Sequence, residues 1–395
     1  MKSEKINIAH LIRTFLQPSE TFVYNQIKFV NEENEYKVFV LCKNFKDDLN
    51  IENISILKVN ELLSTRQQKI DDLYYKFFRK LSNNAKKAIL NYIKLNNIKL
   101  LHFHFLVDAR YYLDVIKEAQ IPIVVSGYGW DITNLPSKYY GVGKLYLKKL
   151  FNFVDIFLAM SEDMKKDMLK LGIPENKIII HYHGINTQRF FSPDREYPQK
   201  EKMTLLFCGR LTDKKGPLVL LRAVNKIIKG NKEVNLNLKI IGDGPLRSKI
   251  QEFISENNLS SYVEILGHIQ HFSTHLLNEY KNADIFILPS MVVKNNGKRQ
   301  NDKEGIPGTL VEAMSSGLPT ISTFHAGIPE VIKNGENGLL INENDFIELA
   351  EKILLLINDN NLRKKLGKNA SNYSRLLDVK IKTKDLVKIY KNLLS

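Results

Sequence analysis

Cysteine is scarce in this chain of 395 residues, which contains two, Cys42 and Cys208. Two cysteines that lie so far apart exclude a disulfide framework and a cysteine-rich zinc site, and they are typical of a reducing compartment. The histidines, cysteines and carboxylates also show no metal-ligand spacing, so we predict that the protein binds no metal. The Gly-x-Ser-x-Gly elbow of serine hydrolases is absent.

Long apolar runs are missing as well. A transmembrane helix requires roughly 18–20 consecutive apolar residues, and no stretch of the sequence approaches that length. Residues 1–12 contain an acidic residue and too short an apolar run for a signal peptide, so they predict a first strand. We expect a protein that is soluble or bound peripherally to a membrane.

Acidic residues are outnumbered, since 58 lysines and arginines stand against 43 aspartates and glutamates. The resulting net charge of +15 predicts an acidic partner, which is nucleic acid, anionic lipid or a phosphorylated substrate. No helix-turn-helix, zinc-finger or RNA-binding signature is present. We therefore predict no nucleic-acid partner and keep a nucleic-acid-binding protein as the alternative hypothesis.

The basic residues concentrate beside aromatic ones. Residues 73–100 contain no acidic residue, and seven lysines and arginines alternate there with five aromatic residues. Residues 138–151 show a similar mixture. Such alternation at helical spacing suits an anionic membrane surface, which we predict as a partner. The alternative, equally open, is a pair of ordinary helices that pack their aromatic residues inward and expose their lysines.

Strand and helix patterns alternate along the chain, which predicts an α/β fold with two doubly wound, Rossmann-like domains. The predicted boundaries are 1–190 for an N-terminal domain, 191–202 for a charged, proline-containing linker and 203–375 for a C-terminal domain. A last helix over 376–395 is expected to pack back on the N-terminal domain. Within the first domain we predict a single helix over 73–97 and a helix over 161–171, capped by Ser161 and ended by Gly172.

Two carboxylates stand eight positions apart in the stretch 304–317. Gly305, Pro307 and Gly308 make a continuous helix through Glu304 and Glu312 unfavourable, so a loop that leads into a short helix is predicted. The backbone N–H groups at the start of that helix would face an anion, with one carboxylate on each side. A nucleotide sugar requires this combination, because it carries both phosphates and hydroxyl groups.

A basic turn follows the first strand of the second domain. Arg210 and Lys215 lie in the segment 209–216, between a strand and a helix, and ligands of open α/β sheets bind at such strand ends. Their charges suit a diphosphate. A surface turn with three basic residues is the alternative interpretation.

The order of several segments is more specific than any one of them. GRLTDKKG (209–216), IGDGPLR (241–247), a Gly267-His268 turn, FILPS (286–290), the Glu304/Glu312 pair, GIPEVI (327–332) and NGENGLL (334–340) follow one another. This order resembles the C-terminal half of the retaining GT-B glycosyltransferases of family 4 (GT4). PSETFVYNQ (18–26) is similar to the SETF signature of the branch that builds exopolysaccharide, capsule and colanic-acid-like polymers. HFHF (102–105) and SGYGWD (126–131) lie where that branch has related segments.

The resemblance implies that the N-terminal domain binds the acceptor and the C-terminal domain binds the nucleotide-sugar donor. It also implies a role for each matching residue. Arg210 and Lys215 would neutralise the donor diphosphate, Glu304 would hold a hydroxyl of the transferred sugar, and Glu312 would accept hydrogen bonds from ribose. Asp131 would complete the catalytic set by orienting the acceptor. The remaining implied donor-binding residues are Gly209, His268, Ile269, Gly305, Ile306, Pro307, Gly308, Thr309 and Leu310. The implied acceptor-side residues are Ser19, Glu20, Thr21, His104 and Tyr128.

Two residues depart from the family pattern. Tyr128 stands where relatives commonly have histidine, and a phenol with an ordinary pKa near 10 is a poor general base at neutral pH. Pro307 removes one loop N–H group that many relatives offer to the donor. Tyr128 supports a further alternative hypothesis, a catalytically silent relative that acts as a scaffold.

The function implied by the resemblance is sugar transfer with retention of anomeric configuration, without metal or cofactor, in cell-surface polysaccharide synthesis. The implied donor is a UDP- or GDP-sugar and the implied acceptor is a saccharide, lipid-linked in this branch. The expected location is the cytoplasm, at the inner face of the cell membrane.

Overall fold

A computed structural model describes residues 4–16, 20–45, 54–137, 142–231, 233–295, 298–299 and 303–395. The chain divides into two compact units. The first unit combines Met1–Gly184 with Val379–Ser395, and the second comprises Ile185–Asp378. No helix in the described ranges is both long enough and apolar enough to cross a membrane.

The first unit is built on a parallel sheet. Its strands are β1 (Ile6–Phe15), β2 (Tyr36–Phe45), β3 (Ser55–Lys58), β4 (Ile98–His104), β5 (Ile123–Ser126), β6 (Ile156–Ala159) and β7 (Ile178–Ile180). They lie in the order β3-β2-β1-β4-β5-β6-β7, and all neighbouring pairs are parallel. The order reverses between β1 and β4, which is the kind of position where open α/β sheets bind ligands.

Helices cover both faces of this sheet. They are α1 (Thr21–Glu32), α2 (Thr65–Phe78), α3 (Asn83–Leu95), α4 (Leu106–Tyr111), α5 (Leu113–Ala119), α6 (Trp130–Thr133), α7 (Val142–Lys148), α8 (Glu162–Leu171) and the C-terminal α17 (Val379–Leu394). Short 3-10 helices lie at Val59–Leu62, Leu135–Ser137, Phe151–Phe153 and Glu175–Lys177. Buried side chains of successive strand residues alternate between two apolar clusters, one on each face, as expected for a sheet that is covered twice.

The C-terminal helix α17 belongs to the first unit. Its Leu386 and Tyr390 are fully buried in the same cluster as Ile8 and Val40. The Tyr390 hydroxyl lies 2.6 Å from His102 Nδ1 in the middle of the sheet. The last residues of the chain therefore complete the core of the unit that the first residues begin.

The second unit contains another parallel sheet. Its strands are β8 (Met203–Cys208), β9 (Leu236–Ile241), β10 (Val263–Gly267), β11 (Ile285–Ile287), β14 (Thr320–Thr323) and β15 (Leu339–Ile341), in the order β10-β9-β8-β11-β14-β15. A separate antiparallel pair is formed by β12 (Lys294–Asn295) and β13 (Lys298–Arg299). The helices are α9 (Thr187–Phe190), α10 (Pro217–Gly230), α11 (Arg247–Glu256), α12 (Thr274–Asn282), α13 (Gly308–Ser315), α14 (Ile328–Val331), α15 (Phe346–Asn358) and α16 (Asn360–Ser374). Short 3-10 helices lie at Asp213–Lys215 and Arg375–Leu377.

The capping residues in the sequence predicted both ends of α8 correctly, but the predicted extent of another helix is wrong. The Ser161 hydroxyl accepts the Met164 N–H and Gly172 ends α8 with φ +98°, which confirms both predicted caps. The single helix over 73–97 is wrong. Arg79 ends α2 in the left-handed region, and the Ser82 hydroxyl caps α3 by accepting the Ala85 N–H at 3.2 Å.

The segment 191–202, predicted as a linker, packs within the second unit. The Arg195 guanidinium donates to the carbonyl oxygens of Ser316 and Ala283, and the Tyr197 hydroxyl donates to that of Gly317 at 2.8 Å. The chain changes units at Gly184 and at Asp378 instead. The charged, proline-containing segment that suggested a linker is instead held against the second unit by hydrogen bonds to backbone carbonyls.

We predict that Gly242→Ala destabilises the second unit by about 3 kcal/mol, the sum of left-handed strain and overpacking. Gly242 has φ +135°, and a Cβ atom there would lie 1.9 Å from the Gly209 carbonyl oxygen. The control is Gly230→Ala at the end of α10, where a Cβ atom would meet nothing within 4 Å. Calorimetric transitions of both variants test this, and an unchanged transition in Gly242→Ala would contradict the geometry.

Candidate active site

Hydrogen bonds between glycine-containing turns join the strand ends at the carboxyl edge of the second sheet. The Gly209 N–H donates to the Ile241 carbonyl at 3.0 Å, and the Gly242 N–H donates to the Gly267 carbonyl at 2.8 Å. The turns after β8, β9 and β10 are thereby connected in sequence across the sheet. This connection places the predicted donor residue Gly209 in the same edge as the turn that carries His268.

A buried ion pair links the turn after β8 to the loop before α13. Lys215 Nζ lies 2.9 Å from Glu304 Oε1, and both side chains are nearly buried. Burial by itself would raise the pKa of the Glu304 carboxyl, but the charges of Lys215 and Lys214 outweigh it and lower that pKa to about 2. Burial lowers the pKa of Lys215, with Glu304 opposing. Glu304 is therefore a carboxylate throughout the neutral range.

Arg210 is the exposed member of this basic group. It follows Gly209 directly, and the adjacent Leu211 is fully buried, which anchors the turn. The positive charge of Arg210 contributes to the lowered pKa of Lys215, after the larger effect of burial. The structure thus brings together three of the four predicted catalytic residues, Arg210, Lys215 and Glu304.

The backbone of Glu304 is held by a histidine that the sequence interpretation missed. The Glu304 N–H donates to His325 Nε2 at 3.2 Å, and His325 Nδ1 lies 2.7 Å from Glu343 Oε1. Because Nε2 accepts a hydrogen bond, the imidazole hydrogen is on Nδ1 and is donated to Glu343. The position of His325, just after β14 and before the GIPEVI segment, was the available signal.

Glu312 lies on the buried face of α13. Its Oε1 atom is 2.9 Å from His271 Nε2, and its Oε2 atom accepts the Tyr280 hydroxyl at 2.8 Å. Glu312 is therefore a buried, hydrogen-bonded residue and not a solvent-exposed one. Each carboxylate oxygen has a second lone pair, so the side chain can still accept bonds from a ligand. Its partners, His271 and Tyr280, were also missed from sequence.

The predicted loop-to-helix transition is confirmed between Glu304 and Glu312. Helix α13 begins at Gly308, directly after Pro307, and the Leu310 N–H donates to the Pro307 carbonyl. Pro307 lies before the helix, so the helical N–H groups of Gly308 and Thr309 are unaffected by it. Burial of Ile306 and Leu310 fixes this terminus in place.

The other implied donor residues surround these elements. His268 is exposed and Ile269 is half-buried in the turn after β10, while Gly305 is half-buried beside Glu304. A nucleobase on the turn, phosphates at the helix terminus and hydroxyl groups at the carboxylates would match the implied roles. These roles stay predictions.

The residues predicted to lie on the acceptor side belong to the first unit, as does Asp131. Asp131 is fully buried, and its two oxygens accept the N–H groups of Leu106 at 2.7 Å and Tyr128 at 3.1 Å. Burial raises its pKa to about 6 against these bonds. Asp131 thus holds the turn after β4 to the turn after β5. Any effect that it has on an acceptor passes through these two turns.

The start of α1 lies beside Tyr128. Glu20 and Thr21 are half-buried at this helix terminus, and the Phe22 ring lies 4.9 Å from the Tyr128 ring. Ser19, predicted as an acceptor-side residue, lies outside the described residues. The residue at the N-cap position is Glu20, and its side chain makes no capping hydrogen bond.

Three buried histidines support Tyr128 from below. The Tyr128 hydroxyl lies 2.7 Å from His104 Nδ1, and His104 Nε2 lies 2.9 Å from His10 Nδ1. His102 contacts the hydroxyls of Tyr390 and Ser126. Burial lowers the pKa of His10 to about 3 and raises that of Tyr128, so the imidazoles are neutral and the phenol is protonated. Tyr128 is a hydrogen-bonding group rather than a base.

By proximity alone, His10, His102 and His104 form a group that could hold a metal ion. One ring nitrogen each of His10, His102 and His104 lies within 4.8 Å of the others, a proximity that the sequence interpretation missed because His10 is remote in the chain. Hydrogen bonds engage five of the six ring nitrogens, and the rings of His10 and His104 are stacked rather than convergent on one point. Hydrogen bonds and stacking thus give the cluster partners within the described residues, and His10 Nε2 is the ring nitrogen of the three histidines that has none there. The absence of a metal stays a prediction.

The chain is similar to known proteins along most of its length. The profile of the family described as Glycosyl transferases group 1 matches residues 189–373, and that of Glycosyltransferase Family 4 matches residues 19–189. The chain is 33% identical over 209 residues to the amylovoran biosynthesis glycosyltransferase AmsK of Erwinia amylovora, covering 53% of this chain and 49% of AmsK. It therefore spans about half the length of that relative.

A second relative names its substrates. The chain is 31% identical over 254 residues to the N,N'-diacetylbacillosaminyl-diphospho-undecaprenol alpha-1,3-N-acetylgalactosaminyltransferase of Campylobacter jejuni, covering 63% of each chain. The solved structure of Anabaena Alr3699/HepE in complex with UDP and glucose superposes with a TM-score of 0.76 at 14% identity, covering 98% of this chain and 99% of that one. This likeness confirms the fold class of two Rossmann-like domains. The nucleic-acid and scaffold hypotheses gain no support from these proteins.

We predict that the first unit loses stability on acidification before the second. Its five histidines have folded-state pKa values below the ordinary 6.5, so the unfolded chain binds more protons and stability, complete above pH 6.5, falls towards pH 4 by up to about 1.4 kcal/mol per histidine and pH unit. These residues are His10, His102, His104, His181 and His183.

Hydrogen exchange of peptides from each unit, corrected for intrinsic rates, would measure this loss. We expect His10→Phe to reduce the pH dependence of the first unit, and His275→Gln, which changes an exposed histidine of the second unit, to leave it unchanged. Equal acid sensitivity of the two units would contradict the prediction.

Proposed function

The chain belongs to the group 1, family 4 glycosyltransferases, and on that premise we propose that it transfers a sugar from a nucleotide-sugar donor to a lipid-linked saccharide. We propose a UDP- or GDP-sugar as donor, retention of anomeric configuration, and catalysis without metal or cofactor. The observation that carries the proposal is the Lys215–Glu304 pair beside Arg210 at the carboxyl edge of the second sheet.

The proposed chemistry follows from the charges of this pair. Departure of a nucleoside diphosphate from the sugar places negative charge on the leaving oxygen and its phosphates. Arg210 and Lys215 supply two positive charges, and the N–H groups at the start of α13 supply further donors. The proposed reaction therefore needs no metal ion to stabilise its leaving group. Glu304 is ionised and paired with Lys215 through Oε1, so its Oε2 atom would accept a hydrogen bond from a hydroxyl group of the transferred sugar.

The proposed ribose site is Glu312. His271 and Tyr280 fix the orientation of its carboxylate from opposite oxygens, so little conformational entropy remains to be lost when ribose binds. The nucleobase would lie on the turn of His268 and Ile269. Glu312 is the one carboxylate proposed for the ribose and nucleobase contacts, whereas two cationic side chains, Arg210 and Lys215, are proposed for the phosphates.

The proposed acceptor and setting come from the relatives and the first unit. AmsK acts in amylovoran synthesis by name, and the Campylobacter enzyme is named for a diphospho-undecaprenol substrate. We extend this chemistry to the present chain as a lipid-linked acceptor, in the exopolysaccharide branch that the segment 18–26 resembles. The protein would then work at the inner face of the cell membrane, with the Tyr128 hydroxyl and the start of α1 facing the acceptor saccharide.

Donor identity is tested first by thermal shift with UDP-, GDP- and ADP-sugars. We expect one nucleotide class to raise the unfolding midpoint of the second unit, since ligand that binds the native state stabilises it in proportion to the logarithm of its concentration above Kd. The absence of a shift with every nucleotide sugar would contradict the donor site.

Replacement of Arg210 by alanine should lower kcat by roughly 100- to 1,000-fold, because one preorganised charge at the leaving group is lost. Arg210 is exposed, so the unfolding midpoint should hardly change. Arg222→Ala, at an exposed arginine on α10, is the matched control and should keep full turnover. Nucleotide release measured with the donor found above checks this, and normal turnover in Arg210→Ala would exclude the proposed role.

His325 should act as a positioning residue for Glu304. We expect His325→Ala to lower kcat by about 10- to 100-fold with little change in donor KM, because a small displacement of Glu304 disturbs the reacting geometry. His325→Gln offers an amide oxygen to the Glu304 N–H and should recover part of the rate. An equal loss in both variants, accompanied by a lower unfolding midpoint, would indicate a structural role only.

A further inference from the structure

Helix α2 turns its apolar side to solvent. The fully buried residue of this helix is an aspartate, Asp71. Its large apolar residues are exposed, Phe77 by 68% and Phe78 by 60%. We call the exposed set the α2 stripe, which consists of Ile70, Leu73, Tyr74, Phe77 and Phe78. An ordinary surface helix buries such a set against the core, so α2 is inverted.

The spacing of the stripe makes it one continuous surface. Its members stand at positions i, i+3, i+4, i+7 and i+8, which share one side of a helix with 3.6 residues per turn. The rings of Tyr74 and Phe78 pack together at 4.7 Å between centroids. Contiguous exposed apolar patches of this kind mark interaction sites rather than scattered surface residues.

Polar contacts hold the opposite side of α2 on the first unit. The Asp71 carboxylate accepts the Ser82 N–H at 2.8 Å, and Lys43 Nζ lies 2.9 Å from Asp72 Oδ1. The Arg13 guanidinium donates to the Tyr75 hydroxyl at 2.7 Å. The helix is therefore fixed in this orientation and presents the stripe without having to unfold or rotate.

Basic residues border the stripe. Lys69 and Lys76 are exposed and, being seven positions apart, form one row beside Leu73. Arg66 precedes this row and Arg79 follows the helix, both exposed. The chain has no acidic residue from 73 to 100. An apolar surface with a basic border is complementary to an anionic bilayer, whose headgroups are negative and whose interior is apolar.

We propose that α2 docks the protein on an anionic lipid surface, with the α2 stripe at the acyl boundary and Lys69 and Lys76 at the headgroups. The inference deepens the membrane partner of the proposed function and rests on that function for its biological setting. The binding itself requires neither donor nor acceptor.

The second basic and aromatic stretch does not form a comparable surface in the described residues. In α7, Val142 and Leu145 are exposed, but Tyr146 turns inward under the Arg110 guanidinium, 4.3 Å from the ring centroid. Residues 138–141 lie outside the described part of the chain. The alternative of inward-packed aromatic residues therefore holds for Tyr146 and is wrong for the α2 stripe, which carries the proposal alone.

Vesicle flotation with the full chain tests the proposal. We expect binding to phosphatidylcholine vesicles that contain phosphatidylglycerol, and weaker binding to phosphatidylcholine alone. Phe77→Ser with Phe78→Ser should weaken the binding at least ~10-fold through lost apolar burial. Lys69→Gln with Lys76→Gln should weaken binding by roughly fivefold per lysine, on anionic vesicles only.

The matched control is Leu355→Ser with Leu376→Ser, which removes two exposed apolar side chains of the second unit and should leave flotation unchanged. Equal loss in this control, or unchanged flotation in the phenylalanine variant, overturns the proposal. Light scattering adds a further arm, since a concentration-dependent dimer that the phenylalanine variant abolishes would identify a second copy as the occupant instead.

Nucleotide release with a water-soluble acceptor separates this inference from the proposed function. We expect the phenylalanine variant to keep that activity while losing flotation. Intact flotation with no turnover on any donor would contradict the enzyme and leave the docking surface standing.

Discussion

The contact on which the geometry of the candidate site depends is the nearly buried ion pair of Lys215 and Glu304. It joins two loops that lie far apart in the sequence, the turn after β8 and the segment before α13. Removal of two charges from water is expensive, and a buried pair contributes little net stability relative to apolar residues. In the proposed function this pair has a further use, since the same geometry would place a cation at the donor phosphates and a carboxylate at the transferred sugar. The network of His325 and Glu343 then fixes the backbone on which the carboxylate depends.

The two units place opposite kinds of chemistry at their strand ends. The second unit gathers formal charge, with Arg210, Lys215 and Glu304 within one edge. The first unit gathers neutral imidazoles and hydroxyl groups around His104 and Tyr128, because complete burial suppresses protonation. A charged site suits a diphosphate and an uncharged hydrogen-bonding site suits sugar hydroxyls. A charged second unit and a first unit with neutral hydrogen-bonding groups are consistent with a reaction that joins a charged donor to a neutral saccharide.

The sequence predicted what depends on neighbouring residues and missed what depends on distant ones. Gly305, Pro307 and Gly308 interrupt a helix locally, so the loop and the start of α13 followed from composition. His271 and Tyr280 reach Glu312 across 41 and 32 positions, and no periodicity encodes such contacts. The inversion of α2 was equally hidden. The same amphipathic pattern is compatible with a helix whose apolar side faces the core and with one whose apolar side faces solvent. In α2 the buried hydrogen bond between Asp71 and Ser82 fixes the outward orientation, and no spacing rule predicts that contact.

The participation of α17 in the first unit has a consequence for synthesis of the chain. The sheet that α17 covers is complete once β7 has been made, but the whole second unit is translated before α17 leaves the ribosome. At ordinary translation speeds this interval lasts roughly 10–40 s. During it, the apolar face formed by Ile8, Val40 and Leu100 lacks the helix that covers it in the finished protein. The second unit is a continuous segment and can fold in that interval. The first unit, although its sheet is synthesised earlier, is therefore completed after the second.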